Sequence, residues 1–176
     1  MVFHVPESSH PDYYALTLLS DILTSGDSAR LTKNLVFDEQ VATTVFSFYP
    51  ESIDPGLFYI YAAASQQTPY EKVEKAIVNQ LNRIMREGIS ERELQKAKNQ
   101  KLVDFYRNIS TIDGKAESIG NYELYFGSYE KFYQAPASFE EVSVDDIKRV
   151  ANKYLRKRNR TVGILSKEED SHETDL

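Results

Sequence analysis

Two stretches of β-type sequence, residues 41–49 and 57–65, constrain the fold of this chain more than any other feature. Both alternate apolar and polar positions and are rich in Thr, Val, Phe and Tyr, which is typical of strands with one buried face. Between them lies Asp54-Pro55-Gly56, a strong turn signal. The sequence therefore predicts an antiparallel hairpin, whose apolar face must be covered by another layer.

Helical periodicity supplies that layer, because apolar residues elsewhere recur at spacings of three and four. Ser90 with Glu93, and Thr68 with Glu71, have the spacing of capping boxes, and Ser143 is a further N-cap candidate. These patterns predict helices over residues 11–25, 28–37, 68–88, 90–109, 116–125 and 143–155, and short strands over residues 2–6 and 161–165.

The order of these elements predicts an α+β fold, an antiparallel sheet with helices packed on one face, since the terminal strands can rejoin the sheet of the hairpin. We expect a single domain over residues 1–165. Residues 166–176 are polar without periodicity, and we expect an acidic disordered tail there.

Composition excludes several classes of function. The absence of cysteine excludes a thiol nucleophile, a zinc finger, a disulfide framework and an iron–sulfur cluster. A net charge of −6 argues against a nucleic-acid partner. No apolar run approaches the ~18 residues that a membrane span needs, and no signal peptide is visible. We expect a soluble protein of the cytoplasm or periplasm.

Histidine is scarce, with three in the chain. His4, Glu7 and His10 suggest a zinc site, but helical zinc ligands lie four residues apart, and Pro6 opposes a helix across this segment. We interpret His4 as a strand residue and His10 as a helix-start residue, and His172 lies in the tail. No metal ligand is predicted.

Other catalytic patterns are also missing, since the sequence has neither a Gly-x-Ser-x-Gly elbow nor a Gly-rich phosphate loop. Glu51 and Asp54 flank the hairpin turn and are interpreted as solvated turn residues. We predict no catalytic residue. A basic cluster near the last helix is interpreted as a solvated face that complements the helix dipole, with an anionic partner and a folded-back acidic tail as alternatives. Its members are Lys148, Arg149, Lys153, Arg156, Lys157, Arg158 and Arg160.

The hairpin is unusually aromatic. Its rings, in or beside the strands, belong to Phe46, Phe48, Tyr49, Phe58, Tyr59 and Tyr61. Alternate side chains of a strand face opposite ways, so one set should pack beneath the helices and the other should line an exposed face. An aromatic sheet face or edge can take an extended peptide as an added strand, and ordinary core packing is the alternative. We take Phe58, Tyr59 and Tyr61 as candidate substrate-binding residues.

Six short strings, in order and spacing, resemble the second domain of pitrilysin/insulinase-type zinc peptidases, a group that includes mitochondrial processing peptidase. The likeness extends over nearly the whole chain up to Leu165. The strings are Val5-Pro6 with His10-Pro11-Asp12, Leu18-Leu19-Ser20-Asp21-Ile22-Leu23, Gly26-Asp27-Ser28-Ala29-Arg30-Leu31, Asp54-Pro55-Gly56-Leu57-Phe58, Gly88-Ile89-Ser90-Glu91-Arg92-Glu93-Leu94 with Ala97-Lys98, and Val142-Ser143-Val144-Asp145-Asp146-Ile147.

The resemblance implies a peptidase whose two halves share one fold and enclose a chamber. One half carries His-x-x-Glu-His and a later glutamate, which bind zinc. That motif is absent here, so the chain resembles the non-catalytic half, which closes the chamber, holds the peptide and supports the catalytic half. The resemblance thus implies a zinc-bearing partner domain or subunit, a peptide substrate, and no activity or cofactor in this chain alone.

In some members, the second half also contributes an arginine and a tyrosine, seven residues apart, that contact the substrate. The aligned positions here are Val36 and Thr43, which cannot donate hydrogen bonds as those residues do. Arg30 matches the family string and is a further candidate substrate contact, or else a structural residue that ties helix to sheet. Compared with the second domain of this family, the chain begins one strand later, and we expect that it is a domain excised from a longer protein.

Two other functions stay open at this point. One is a peptidase-like scaffold or assembly subunit without proteolytic role, which the resemblance to respiratory-complex core subunits permits. The other is a free-standing hydrolase that uses carboxylates.

Overall fold

A four-stranded antiparallel sheet organises residues 1–166, the part of the chain that the computed structural model describes. The strands are β1 (Val2–Val5), β2 (Ala42–Phe48), β3 (Gly56–Ala64) and β4 (Arg160–Thr161), in the spatial order β2-β3-β1-β4. The predicted hairpin is confirmed as the β2–β3 pair, which aligns Phe46 with Tyr61 and Phe48 with Tyr59. Apart from Ser166, the predicted tail lies outside the described residues.

Helices cover one face of this sheet. They are α1 (Tyr13–Thr24), a π-helix (Thr32–Asp38), α2 (Tyr70–Glu87), α3 (Glu91–Ile109), α4 (Ile112–Phe126), α5 (Glu130–Glu141), α6 (Val144–Tyr154) and a 3₁₀ turn (Lys157–Asn159). Helix α1 packs against β2, α2 against β3, and α6 against β1. The core side chains on the sheet include Phe3, Phe58 and Ile60, none more than 2% exposed. The α+β fold class is therefore confirmed.

Helix capping follows the sequence at two of the three predicted places. Ser90 and Glu93 form a complete capping box at the start of α3, and Ser143 forms one with Asp146 at the start of α6. The box predicted from Thr68 is wrong, because α2 begins after Pro69 with no side-chain cap. Proline fixes the entry of the chain into the helix there without a capping hydrogen bond.

Two predictions of secondary structure need correction. The predicted helix over residues 28–37 is a π-helix from Thr32 to Asp38. The closing strand covers only Arg160–Thr161 rather than residues 161–165. Thr161 lies opposite Val2, the first residue of β1, so β1 offers no further residue for pairing beyond it.

Helix α5 was not predicted from the sequence, and it contains Pro136 in its interior, where proline normally opposes a helix. Tertiary packing overrides that cost. Phe132 and Ala135 on this helix are buried, and the Phe132 ring lies 4.9 Å from that of Phe105 on α3. Burial of aromatic surface thus holds a segment whose local sequence signal is weak.

The buried carboxylate of Asp12 joins the start of α1 to α6. It accepts hydrogen bonds from Arg149 at 2.6 Å, Lys153 at 2.9 Å and the hydroxyl of Tyr154 at 2.6 Å. Burial opposes ionisation of Asp12, but these three donors outweigh it and hold the pKa of the carboxyl well below its usual range. Asp12 is 3% exposed, whereas the side chains of Arg149 and Lys153 are about half exposed.

We expect Asp12→Ala to lower the free energy of unfolding by about 1–2 kcal/mol, mainly because the buried hydroxyl of Tyr154 loses its acceptor. The ion pairs with Arg149 and Lys153 add little, because those two side chains are about half exposed. Urea denaturation measures the loss, and the exposed Asp54→Ala is the control.

The same pair of variants gives a pH test. Since the pKa of Asp12 is lowered in the folded state, its contribution is complete above the unfolded pKa of about 4. It is lost as the pH falls from there towards the lower folded pKa. The stability difference between the wild type and Asp12→Ala should narrow on acidification, and a difference independent of pH would contradict this account of Asp12.

Candidate functional site: the aromatic outer face of the sheet

The face of the sheet opposite the helices is exposed and carries a row of aromatic rings. Phe46, Phe48 and Tyr61 are 45%, 43% and 52% exposed, and Tyr59 between them is half-buried. These four rings, which we call the aromatic ladder, stand on β2 and β3 at alternate positions, so they share one side of the pleat. Exposed apolar patches of this kind commonly mark binding surfaces.

The rings of the ladder stack on one another. Phe48 and Tyr59 lie opposite each other with centroids 4.5 Å apart and an interplanar angle of 1°. Phe46 and Tyr61 form the second cross-strand pair at 4.8 Å and 27°, and Phe46 lies 5.9 Å from Phe48 along the strand. Cross-strand aromatic pairs stabilise a sheet, so the rings hold one another in place.

No acidic residue, lysine or arginine stands on the outer face of the four strands. Beside the ladder, the outward positions are occupied by Val2, His4, Thr44, Leu57, Ala63 and Thr161. Neutrality here contrasts with a chain in which 27% of residues are charged. The outer face of the sheet therefore presents only apolar and uncharged polar side chains from its strands to a binding partner.

The structure separates the aromatic residues that the sequence singled out. Tyr59 and Tyr61 belong to the ladder, whereas Phe58 points to the helices and is 0% exposed. Phe46 and Phe48 complete the site but were not among the predicted contacts. Their two-residue spacing was visible in the sequence, yet only the hairpin register places them opposite the tyrosines.

Arg30 pairs with a carboxylate inside the fold. Its Nε and Nη2 atoms lie 2.5 and 2.9 Å from the two carboxylate oxygens of Glu93, which also accepts from the backbone N–H and hydroxyl of Ser90. The hydrogen bonds from Arg30 lower the pKa of Glu93 to about 2. Arg30 thus ties the segment before the π-helix to the start of α3, not to the sheet. Its role as a substrate contact stays a prediction.

The histidines do not form a metal site with Glu7 in the described residues. The Nδ1 atom of His10 accepts from the backbone N–H of Asp12 at 2.9 Å, and His4 stands on the exposed face of β1. Within residues 1–166, no three His, Cys, Asp or Glu side chains are grouped to hold an ion. This donor set does not fit zinc. His172 lies outside the described residues.

Val36 and Thr43 flank two backbone irregularities. Val36 is half-buried on the π-helix, and Thr43 is exposed at a register shift in β2, where its hydroxyl donates to the carbonyl of Ala63 at 3.4 Å. Between them, Gln40 has a left-handed φ of 51°. The alignment of these two positions with the arginine and tyrosine that the resemblance implies stays a prediction.

The prediction for Glu51 needs correction, although Asp54 is exposed as expected. Glu51 is half-buried and accepts a hydrogen bond from the hydroxyl of Tyr13 at 3.3 Å. Burial raises the pKa of its carboxyl. Glu51 therefore belongs to the packing between the hairpin loop and α1.

The basic cluster is not a uniformly solvated face. Arg149 and Lys153 bind Asp12, and Arg160 pairs with Glu74 of α2 at 3.1 Å. These three cations stabilise the fold directly. Arg156 donates to the backbone carbonyl of Asn152, one turn earlier in α6.

None of the helices within residues 1–166 combines the length and the apolarity needed to cross a bilayer.

Comparison with protein families gives a match to the Peptidase M16 inactive domain over residues 1–101. The match includes more than half of the 176 residues, and the chain belongs to this family. The resemblance inferred from the six strings is therefore confirmed, as is the assignment to the non-catalytic type of domain.

Similar proteins and structures agree with this assignment. Zinc protease PqqE of Helicobacter pylori is 28% identical over 163 residues, which are 93% of this chain and 36% of that protein. The beta subunit of the mitochondrial-processing peptidase of Lentinula edodes is 28% identical over 156 residues, 84% of this chain and 33% of that protein. The chain thus spans about a third of the length of these relatives.

A solved structure matches the chain as a whole domain. It is the inactive peptidase domain of a Bordetella parapertussis protein described as a zinc protease, with a TM-score of 0.83 and 25% sequence identity. The match covers 92% of this chain and 87% of that structure.

Replacement of Arg30 distinguishes between its two possible roles, a structural ion pair and a contact with substrate. Arg30→Ala leaves Glu93 without its cation, and we expect the free energy of unfolding to fall by about 1–3 kcal/mol. Since the pKa of Glu93 is lowered to about 2, this effect should be complete above the unfolded pKa of about 4.3 and should shrink as the pH falls towards the folded value. Urea denaturation at several pH values measures both.

Arg83→Ala is the matched control, because Arg83 pairs with Glu87 at 2.9 Å on the exposed surface of α2, where the loss should be small. Peptide affinity should be unchanged in folded Arg30→Ala. A loss of affinity at a temperature where this variant remains folded would instead support the predicted substrate contact.

Proposed function

We propose that this chain is the non-catalytic, substrate-enclosing half of a zinc metallopeptidase that cleaves peptides or unfolded segments. Zinc is held by a partner half, in the same polypeptide or in a separate subunit. Membership of the inactive-domain family carries the proposal, together with relatives that are named zinc proteases and of which the match covers about a third. The exposed aromatic ladder supplies the surface that such a role requires.

The role of this half is to bind and to shield. Helices α1, α2 and α6 pack against the inner face of the sheet and support it. Its outer face forms one wall of an enclosure once a second half closes over it. The ladder contacts the enclosed peptide, and strand β2, at the edge of the sheet, offers backbone groups to an extended chain.

Catalysis belongs to the partner in this proposal. A zinc site with His-x-x-Glu-His would polarise the scissile carbonyl and activate water there. The residues of this chain restrict the conformation of the peptide and exclude bulk water. Fixed orientation of a substrate contributes to rate without any chemical group on this half, because it removes motions that would otherwise be lost at the transition state.

A complementation experiment tests the proposal. The partner is a half that carries His-x-x-Glu-His, identified in the surrounding reading frame or in a co-expressed subunit. Neither half should cleave a quenched fluorescent peptide by itself, whereas the mixture should. Elemental analysis should find stoichiometric zinc in the partner alone, and the motif glutamate replaced by Gln in the partner is the inactive control.

Three results would overturn the proposal. Cleavage by the purified 176-residue chain would indicate a free-standing hydrolase. Stoichiometric zinc bound by that chain would reject the assignment of roles. Formation of a complex that stays inactive towards peptides would favour a scaffold.

A further inference from the structure

A cavity of about 330 Å³ lies on the helical side of the domain. Side chains of α1, α3, α4, α5 and the loop that joins β2 to β3 line it, and none of them belongs to the aromatic ladder. Its volume is at the lower end of the range for small-molecule sites, about 300–1,000 Å³. Asn108 and Glu117 on its lining are exposed, so a ligand can enter from solvent between α3 and α4.

Aromatic rings form part of the cavity wall. They belong to Tyr13, Phe105, Tyr122 and Phe139, one from each of the four helices. The Tyr122 ring stacks on Phe126 at 4.3 Å, and the Phe126 ring lies 4.9 Å from that of Tyr13 in an edge-on arrangement. This packing holds the two tyrosine rings in place. Faces of aromatic rings attract cations, and the guanidinium group of arginine stacks on them.

Three carboxylates line the same cavity, those of Glu51, Asp104 and Glu117. Glu51 is half-buried and accepts a hydrogen bond from the hydroxyl of Tyr13 at 3.3 Å. Burial, with a contribution from the negative charge of Glu117, raises the pKa of Glu51. The two carboxylates therefore repel each other when both are ionised, and a cation bound between them would remove that repulsion.

The cations of the fold near this cavity do not neutralise it. The Nζ atom of Lys101, which lines the cavity, lies 3.1 Å from a carboxylate oxygen of Asp21, so its charge is paired there. Asp104 accepts from Gln100 at 3.0 Å and has Arg107 at 3.9 Å, on a side chain that is 72% exposed. Within residues 1–166, neither of the two glutamates of the cavity forms an ion pair with Lys or Arg.

Backbone packing fixes the rim of the cavity. Gly114 lies in the first turn of α4, and a Cβ atom at this position would clash with the backbone carbonyl oxygen of Asn108 near the end of α3. The absence of a side chain therefore allows the two helices to approach closely here. Both residues line the cavity, so its entrance is set by the backbone of the fold.

We propose that this cavity binds a guanidinium group, carried either by a free small molecule or by an arginine side chain of a partner protein. A guanidinium is planar and stays charged, so it can stack on a ring while its N–H groups donate to a carboxylate. Rings and carboxylates in one cavity suit these properties better than those of a compact, strongly hydrated ammonium. The site goes beyond the proposed function and is separate from the outer face of the sheet.

Three small molecules with the same alkyl chain test the proposal. They are butylguanidinium, butylammonium and butylurea, the last of which is the neutral isostere of the first. NMR titration of the isotope-labelled 176-residue chain measures both affinity and position. Butylguanidinium should bind about tenfold more tightly than butylurea, because hydrogen bonds between charged groups are the stronger ones. It should also bind more tightly than butylammonium, with amide shifts concentrated around Ser118 and Asn121 of the lining.

A pair of pentapeptides identifies the source of the guanidinium. One has the sequence Gly-Ser-Arg-Ser-Gly, and the other carries citrulline, which has a neutral urea group, in place of arginine. If the arginine peptide binds at least as tightly as butylguanidinium and the citrulline peptide does not, the ligand is an arginine side chain. If butylguanidinium binds and neither peptide does, the ligand is a free small molecule. Both results support the guanidinium site.

Variants of the carboxylates provide the second measurement. Glu51→Gln keeps an acceptor for the hydroxyl of Tyr13 but removes a half-buried charge, and it should weaken butylguanidinium binding about tenfold. Glu117→Gln should weaken binding about two- to fivefold, because this carboxylate is exposed. Asp113→Asn is the matched control, since Asp113 is an exposed carboxylate of α4 that does not line the cavity. Thermal unfolding of each variant establishes that it is folded at the assay temperature.

Equal affinity for butylguanidinium and butylurea would overturn the proposal, as would amide shifts that fall on the outer face of the sheet. An equal loss of affinity in Asp113→Asn would also overturn it, because attraction to the net charge of −6 would then explain the binding. The proposed function is tested separately. Complementation can fail while these affinities stand, and the cavity can prove empty of guanidinium while the enclosing role stands.

Discussion

The alternation of buried and exposed positions along β3, and along β2 from Thr44 onward, is the constraint on which the rest of the structure depends. Ile60 points to the helices and is 2% exposed, whereas its neighbour Tyr61 points outward and is 52% exposed. A slip of one residue in the hairpin would bring every ring of the ladder into the core and expose the core residues instead. Register, core and outer face are therefore set together by one period-two pattern.

Patterns that are local in sequence predicted much of the fold. Contacts between residues distant in sequence account for helix α5, which was missed, and for the aromatic residues that were assigned to the wrong face. The hairpin and the Ser90 and Ser143 caps follow from residues a few positions apart. Helix α5 contains Pro136 and depends on ring packing with other helices, so its local sequence gives little signal. Likewise, the choice between Phe58 and Phe46 as surface residues depended on which face the helices cover.

Two residues in the family-like strings have partners that explain them physically. Asp12 binds Arg149, 137 residues further along the chain, and Arg30 binds Glu93, 63 residues away. Both are long-range ties between helical segments, at places where the sequence offered only a short motif. At least two residues of the strings that carry the resemblance hold the domain together. The resemblance therefore predicted the α+β fold better than it predicted the substrate-binding residues.

The position of Asp12 has a consequence for synthesis on the ribosome. Its three donors follow residue 148, so the carboxylate near the start of the chain lacks its cations until α6 has emerged. Ile147 and Val150 of α6, both 0% exposed, are missing from the core during the same interval. The residues packed against α6 therefore cannot reach their native environment until that helix has been synthesised.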